Sequence, residues 1–364
     1  MIFIFFLSSF ILSLGLTFFI RWLAFKLKIV DIPEKSERKI HKKSTPLLGG
    51  LAIFLSFFLV LFIVRQTPWW PGDKVLDKHL FGLFIAGLFL MVGGFLDDKY
   101  SLKPSKQIIW PVLACLAVII SGIGVKYINN PFGPGYLYLD QVKFEIIRLN
   151  GVPYYFTPLS DFITFIWLML LMYSTKLLDG LDGLVSGLTV IGALVIAGLC
   201  FITQFFQPDV GTMALILAGA GLGFLCFNWH PAKIFLGEGG SLFAGFILGV
   251  LAIISGSKVA TAFLILGLAI IDLIIVVVQR IFIERKSPFR GDQRHFHFRL
   301  LKTGIPHRLV VIFYWLVALI FGLSALFLQT KGKIISLIVL VMLGGGLITF
   351  SSFKKEKKGQ VDNR

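Results

Sequence analysis

Residues 159–183 read LSDFITFIWLMLLMYSTKLLDGLDG. An almost unbroken apolar run ends abruptly in Lys176, Asp179 and Asp182, with a glycine after each acid. A carboxylate at bilayer depth costs about 2.5–3.5 kcal/mol on insertion scales. The run therefore reads as a lipid-crossing helix with its acids at the mouth. The same arrangement recurs at 79–96, which is followed by Asp97-Asp98. Acids gathered at helix mouths point to handling of cations, phosphates or protons.

The rest of the 364-residue chain fits this reading. It is 57% hydrophobic, and its mean hydropathy of +0.88 is that of a polytopic membrane protein. A bilayer-spanning helix needs about 20 apolar residues. Eleven stretches qualify: 2–20, 47–64, 79–96, 108–125, 159–175, 185–205, 211–227, 241–256, 259–278, 309–328 and 334–350. The expected fold is all-α and polytopic, with one transmembrane domain over 1–350 and a basic tail over 351–364. The Lys-rich composition of that tail predicts disorder.

Charge sets the expected orientation. Arg21, Lys26 and Lys28 follow the first apolar run instead of preceding it, unlike a signal peptide. Of the 35 Lys and Arg, 26 fall in the odd-numbered loops and the tail, and nine in the even-numbered loops. The positive-inside rule then puts the N-terminus outside and the odd loops and C-terminus in the cytoplasm. Topology and attraction to anionic membrane lipid explain the net charge of +16. With no soluble basic module, nucleic acid is not an expected partner. Cys115, Cys200 and Cys226 lack metal or redox spacing and read as packing residues.

Every polar motif falls in an odd loop, so all of them can face one cavity. Asp97-Asp98, near Lys99, Lys103 and Lys106, suits Mg²⁺ or a nucleophilic phosphate, because hard cations prefer oxygen. The plain alternative is a solvated helix end. Asp179 and Asp182 share a face if their stretch is helical, and otherwise form a capped turn. Glu238, between two glycines at a helix start, could hold a metal or simply satisfy the helix dipole. His295 and His297 among Arg290, Arg294 and Arg299 suit a diphosphate and a nucleobase or sugar better than a metal. The plain alternative there is a basic loop near lipid headgroups. The even loop 126–158 is aromatic, and Tyr136–Ile147 predicts a small β-hairpin.

Taken in order, these motifs resemble the polyprenyl-phosphate N-acetylhexosamine-1-phosphate transferases, of which the MraY translocase is a relative. The resemblance runs from Asp31 to about Gly304. It rests on Asp31-x-Pro33, Arg38-Lys39-x-His41, Pro46-x-x-Gly49-Gly50, Gly94-x-x-Asp97-Asp98, Leu178-Asp179-Gly-Leu-Asp182-Gly, Phe227-Asn228, Pro231-Ala-Lys-Ile-Phe-Leu-Gly237, Gly240-Ser-Leu, Asp272, Lys286-Ser-Pro-Phe289, Asp292, Arg294-His295 and His297. The resemblance implies a multi-pass protein of the bacterial cytoplasmic membrane with its active site on the cytoplasmic face. The implied reaction moves N-acetylhexosamine-1-phosphate, most commonly GlcNAc-1-phosphate, from a UDP-sugar to polyprenyl phosphate. Its product initiates a cell-envelope polysaccharide. Asp97 and Asp98 would position or deprotonate the lipid phosphate, with Asp179 and Asp182 also catalytic. Asp179, Asp182 and Glu238 would hold Mg²⁺, or Mn²⁺ in its place. Lys42, Lys43, Lys106, Lys176, Asn228, His295, His297 and Arg299 would bind substrate. A homodimer is compatible with this reading.

The chain departs from the family pattern at four places. Lys176 stands where Asn is usual, Glu238 where Asp is usual, His230 where Pro is usual and Phe298 where His is usual. A lysine at a metal position repels a cation, replaces part of its charge, or points away. The alternative readings are a catalytically altered family member that binds lipid or a partner enzyme, and a transporter. A transporter would more often show broken helices and paired repeats at the midplane.

Overall fold

The computed structural model describes residues 2–32, 44–130, 133, 135–149, 152–202, 206–256, 259–285 and 294–361. Helix α1 spans Ile2–Lys26, α2 Gly49–Arg65, α3 Asp77–Tyr100, α4 Pro104–Gln107 and α5 Ile109–Ile120. Then come α6 (Pro158–Leu178), α7 (Leu184–Ile202), α8 (Pro208–Asn228), α9 (Gly237–Ile254) and α10 (Val259–Val278). A π-helical turn at Gln279–Ile283 extends α10, followed by α11 (Phe296–Lys302), α12 (His307–Phe327) and α13 (Thr330–Val361). Among the described residues, nine helices are long and apolar enough to cross a bilayer, and Gly49–Arg65 and Pro104–Ile120 are shorter apolar helices. Each of the eleven expected stretches has its helix. Lipid offers the backbone no hydrogen-bond partner, so an apolar chain there closes its bonds within itself. The protein is an all-α, multi-pass membrane protein.

Burial separates the inner helices from the lipid-facing ones. In α9, 89% of the span is buried inside the protein, against 22% in α1 and 17% in α13. Phe3, Phe18, Ile63, Phe162, Phe327 and Met342 are exposed, as side chains facing hydrocarbon should be. α1 lies against α8 through small residues. Ser9 Oγ donates to Ile216 O and Ser13 Oγ to Ala220 O, each at 2.7 Å. Such hydroxyl-to-carbonyl contacts need close backbones, the usual packing mode where lipid removes the hydrophobic drive.

The closest approach positions the site. A Cβ built on Gly94 of α3 would lie 2.1 Å from Gly239 N, and one on Gly50 of α2 would lie 2.1 Å from Gly240 Cα. Helices α2 and α3 thus meet the start of α9 backbone to backbone. The segment before α2 is pinned to the same place: Phe235 N donates to Pro46 O, Gly49 N to Phe235 O and Gly50 N to Leu236 O.

Among the described residues, three two-stranded antiparallel ribbons complete the fold: β1 (Val30–Asp31) with β2 (Thr45–Pro46), β3 (Tyr127–Asn129) with β4 (Tyr136–Tyr138), and β5 (Phe144–Leu149) with β6 (Val152–Phe156). The expected single hairpin over Tyr136–Ile147 is replaced by two. Tyr136–Tyr138 pairs backward with Tyr127–Asn129, where the three tyrosine rings pack together, and Phe144–Leu149 pairs forward. The tail also differs from expectation, because α13 continues to Val361.

Candidate active site

The C-terminal ends of α3 and α6, the start of α9 and the short α11 converge at one end of the bundle. Asp97 and Asp98 lie in the last turn of α3, where carboxylates oppose the helix dipole. Their partners answer this differently. Asp97 Oδ1 accepts Leu102 N at 2.7 Å and Gln107 Nε2 at 3.0 Å, bracing the turn into α4. Asp98 Oδ1 accepts Glu238 N at 3.2 Å, which places it at the N-terminus of α9. A carboxylate is favourable there, where amides are unpaired. Gly237, at φ 76°, carries no side chain because a Cβ would sit 2.6 Å from Asp98 Oδ2.

Lys176, in the last turn of α6, reaches into these acids. Its Nζ lies 2.9 Å from Glu238 Oε2 and donates to Gln107 Oε1 at 3.2 Å. Asp97 is close enough to add to the field on the ammonium. Asp179 caps the end of α6 beyond the membrane-spanning part. Burial, then the charges of Glu238 and Asp182, push its carboxyl up to about 8. The stretch Asp179–Gly183 is a turn, not a helix, so the two acids point to different places.

Asp182 belongs to a second network. Its Oδ2 takes His230 Nδ1 at 2.7 Å and Ala232 N at 3.0 Å, and its own N–H donates to His307 Nε2 at 3.1 Å. The His230 and His307 rings stack at 4.0 Å and 19°. Possible ligand atoms of Asp182, His230 and His307 lie within 4.8 Å of one another. The rings are nearly parallel, so their in-plane lone pairs do not converge, and hydrogen bonding accounts for the cluster. Asn228 completes the frame: Oδ1 accepts Gly183 N at 3.0 Å and Ser186 Oγ at 2.7 Å, while Nδ2 donates to Ile234 O at 3.0 Å.

The last motif is held by Asp272 of α10. Its Oδ2 pairs with His295 Nδ1 at 2.8 Å and its Oδ1 accepts Phe296 N at 3.0 Å, so one buried carboxylate orients the imidazole and caps α11. His297 is fully buried, and among the described residues neither ring nitrogen has a hydrogen-bond partner. Burial first, then the charges of His295 and His307, hold it well below the usual histidine range. A Cβ on Gly180 would lie 2.8 Å from His297 Nε2 and 2.6 Å from Phe298 Cζ. Asp179–Gly183 and α11, remote in sequence, are therefore in contact.

Comparison with known proteins accounts for this arrangement. A family profile described as "Glycosyl transferase family 4" matches residues 80–256, which carry Asp97, Asp98, Asp179, Asp182 and Glu238. A relative from Bacillus subtilis (strain 168), named "Probable undecaprenyl-phosphate N-acetylglucosaminyl 1-phosphate transferase", is 30% identical over 99% of this chain and 92% of its own length. The chain belongs to glycosyl transferase family 4. Other similar members are a "Decaprenyl-phosphate N-acetylglucosaminephosphotransferase" of Mycobacterium tuberculosis (29% identical; 84% of this chain, 78% of that protein) and a "Phospho-N-acetylmuramoyl-pentapeptide-transferase" of Halalkalibacterium halodurans (29%; 85% and 91%).

Within this glycosyl transferase family 4 fold, the expected site residues divide. Asp98, Asp179, Glu238 and Lys176 come together, and His295 and His297 adjoin the Asp179 turn. Asn228, expected at the substrate, uses both ends of its amide on protein groups and positions the turn. Arg299 donates to Ile348 O at 3.1 Å, which ties α11 to α13. Lys106 is exposed on α4. Lys42 and Lys43 lie outside the described residues, as does the stretch 286–293. The structure adds two residues that the sequence did not mark. Gln107 links Lys176 to Asp97, and His307 receives the Asp182 amide. Neither carries a local signal, since each acts through a partner far away in sequence.

The residues do not fit the divalent cage that the resemblance implies. A single Mg²⁺ would need Asp179, Asp182 and Glu238 to offer oxygens to one point. Asp182 Oδ2 is instead engaged by His230 and Ala232, and Glu238 faces an ammonium at hydrogen-bond distance.

Proposed function

We propose that this protein transfers GlcNAc-1-phosphate from UDP-GlcNAc to a polyprenyl phosphate, at the cytoplasmic face of a bacterial cytoplasmic membrane. An oxygen of the lipid phosphate attacks the β-phosphorus of the sugar nucleotide. The P–O bond to the α-phosphate breaks, and UMP leaves with the bridging oxygen. The products are polyprenyl-diphospho-GlcNAc and UMP, and the lipid product begins a cell-envelope polysaccharide.

One observation carries the reading: Asp98, Asp179, Glu238 and Lys176 meet at the helix mouths, in a chain that aligns along its length with a polyprenyl-phosphate transferase. Phosphoryl transfer asks for positioning and charge stabilisation, not an elaborate covalent apparatus. Asp98, fixed at the start of α9, orients the acceptor phosphate and holds its proton as the oxygen attacks. Lys176 offsets charge on the diphosphate. His295, set by Asp272, presents its Nε2 toward the nucleotide side. The excess of Lys and Arg in the odd loops supports the cytoplasmic placement. The exposed apolar side chains of the peripheral helices, such as Phe3, Ile63 and Phe162, suit contact with a prenyl chain.

The test is direct. Purified protein in liposomes holding undecaprenyl phosphate should release UMP from UDP-GlcNAc and form a labelled lipid. Absence of both, with every UDP-N-acetylhexosamine supplied, would favour the reading as an altered member that binds lipid without turnover.

A further inference from the structure

Lys176 and Glu238, two of the four departures from the family pattern, touch each other. The ammonium lies 2.9 Å from Glu238 Oε2, and the two side chains are only 15% and 34% exposed. They come from different helices, α6 and α9, and are 62 positions apart in the chain. Lysine adds a positive charge at its position, and glutamate keeps the negative charge of an aspartate while reaching one methylene further. Together they form a pair: the longer acid reaches out, and the long lysine stem brings a cation to it.

The surroundings show where this cation is aimed. Asp98 accepts the amide of Glu238 and has Asp179 and Asp97 as near charged neighbours. Lys176 thus feels Glu238 and Asp97 directly, and Asp98 and Asp179 adjoin Glu238. Gln107 fixes its height, accepting from Nζ through Oε1 while donating to Asp97 through Nε2. An ammonium has three N–H donors. Gln107 accepts one of them, Glu238 Oε2 lies 2.9 Å away as an ion-pair partner, and among the described residues no other side chain accepts from Nζ, which leaves it able to meet an incoming oxygen. The α6 C-terminus, whose dipole favours positive charge, holds the stem in place.

We propose that Lys176 is a resident cation of the transfer centre, standing beside Glu238 in place of a divalent ion and donating its remaining N–H to the diphosphate of the sugar nucleotide. This rests on the transferase reading above. A tethered ammonium brings one charge instead of two, and it binds phosphate oxygen by hydrogen bonding. It needs no recruitment from solution, so the centre is charged for phosphate before any ion arrives.

The experiment compares purified full-length wild type with Lys176→Asn/Glu238→Asp, Lys176→Met and Lys176→Arg in nanodiscs. Mn²⁺ alone is the first probe, followed by electron paramagnetic resonance. The double variant should bind Mn²⁺ at least ten-fold more tightly than wild type, and Lys176→Arg should resemble wild type. UMP release is the second readout. Wild-type turnover should fall less than three-fold in EDTA, whereas the double variant should lose nearly all activity until Mg²⁺ is restored. Equal Mn²⁺ affinity in wild type and double variant overturns the proposal, as does wild-type turnover abolished by EDTA. Should Lys176→Met fail to fold, the arginine and double variants carry the comparison. If no variant releases UMP under any condition, the transferase reading fails, and the Mn²⁺ affinities alone decide whether Lys176 fills the seat.

Discussion

Asp272→Ala should release α11 from the site while leaving the bundle intact. Asp272 is 2% exposed and makes two charge-assisted contacts, to His295 Nδ1 at 2.8 Å and to Phe296 N at 3.0 Å. Hydrogen bonds to a charged group contribute about 1.5–3 kcal/mol each. Their loss also strands a buried imidazole nitrogen and a helix N-cap amide, so the docked state of α11 should lose about 3–5 kcal/mol. The bundle is spared because α10 and α12 pack through separate apolar contacts on either side. With His295 no longer fixed, kcat/KM should fall on the order of 10²–10⁴-fold, at about 1.36 kcal/mol per decade. Asp272→Asn separates the two contacts. Its carbonyl still accepts Phe296 N, but its NH₂ faces Nδ1, so the imidazole must move its proton to Nε2. That variant should keep α11 docked and lose activity. Hydrogen exchange of the Phe296–Lys302 amides reads docking, and UMP release reads turnover. Unchanged exchange in Asp272→Ala, with turnover within three-fold of wild type, would refute the assignment of Asp272 as the anchor of α11.

The buried, neutral state of His297 gives a pH dependence. Its folded pKa is depressed and the unfolded value is near 6.5, so the unfolded chain binds more protons as pH falls. Its contribution is complete above about pH 6.5 and is lost below it, by up to about 1.4 kcal/mol per pH unit. Thermal midpoints between pH 5 and 7 should show this slope, and His297→Gln should flatten it; an equal slope in both would count against it. Gly180→Ala puts a methyl 2.6 Å from Phe298 Cζ and 2.8 Å from His297 Nε2. Overpacking of this kind costs about 1–3 kcal/mol, and turnover should drop with the melting temperature; wild-type stability would contradict the contact. Asp179→Asn mimics the neutral carboxyl favoured below pH 8. It should leave the melting temperature unchanged while lowering turnover on the order of 10²-fold, and a large stability loss would speak against a functional role. Cysteines at Ser101 and Thr303, both exposed, should label from the cytoplasm, and one at exposed Tyr136 only from outside. The reverse pattern would invert the topology.

Eleven apolar stretches were legible because lipid imposes one rule along a whole segment, and that rule leaves a strong compositional trace. The meeting of Asp98, Asp179 and Glu238 was legible too, since each sits where such a stretch stops. The roles of Asn228 and Arg299 were not. An amide or guanidinium in a polar loop looks the same in sequence whatever it faces, and the contacts to Ile234 O and Ile348 O come from partners that the sequence does not point to. Asp182 shows the same limit. Its spacing from Asp179 suggests a shared helical face, but the helix ends at Asp179, whose ψ of 50° leaves the helical range, and Asp182 engages His230 and Ala232 instead. The hairpin over Tyr136–Ile147 failed as an expectation because alternation marks a strand without naming its partner.

The glycine contacts at the start of α9 have a mechanical consequence. Where Gly50 meets Gly240 and Gly94 meets Gly239, no side chain stands between the helices to repack or change rotamer. Such a joint has almost no compliance. Displacing Glu238 must carry Asp98 with it, so the acid bonded to the start of α9 and the acid paired with Lys176 keep a fixed spacing. Differences in substrate size must then be taken up elsewhere, at walls lined by side chains, such as α11 with its anchors at Asp272 and Ile348 O. The joint thus gives the site one wall whose spacing is set by backbone alone, and adjustment falls to walls built from side chains.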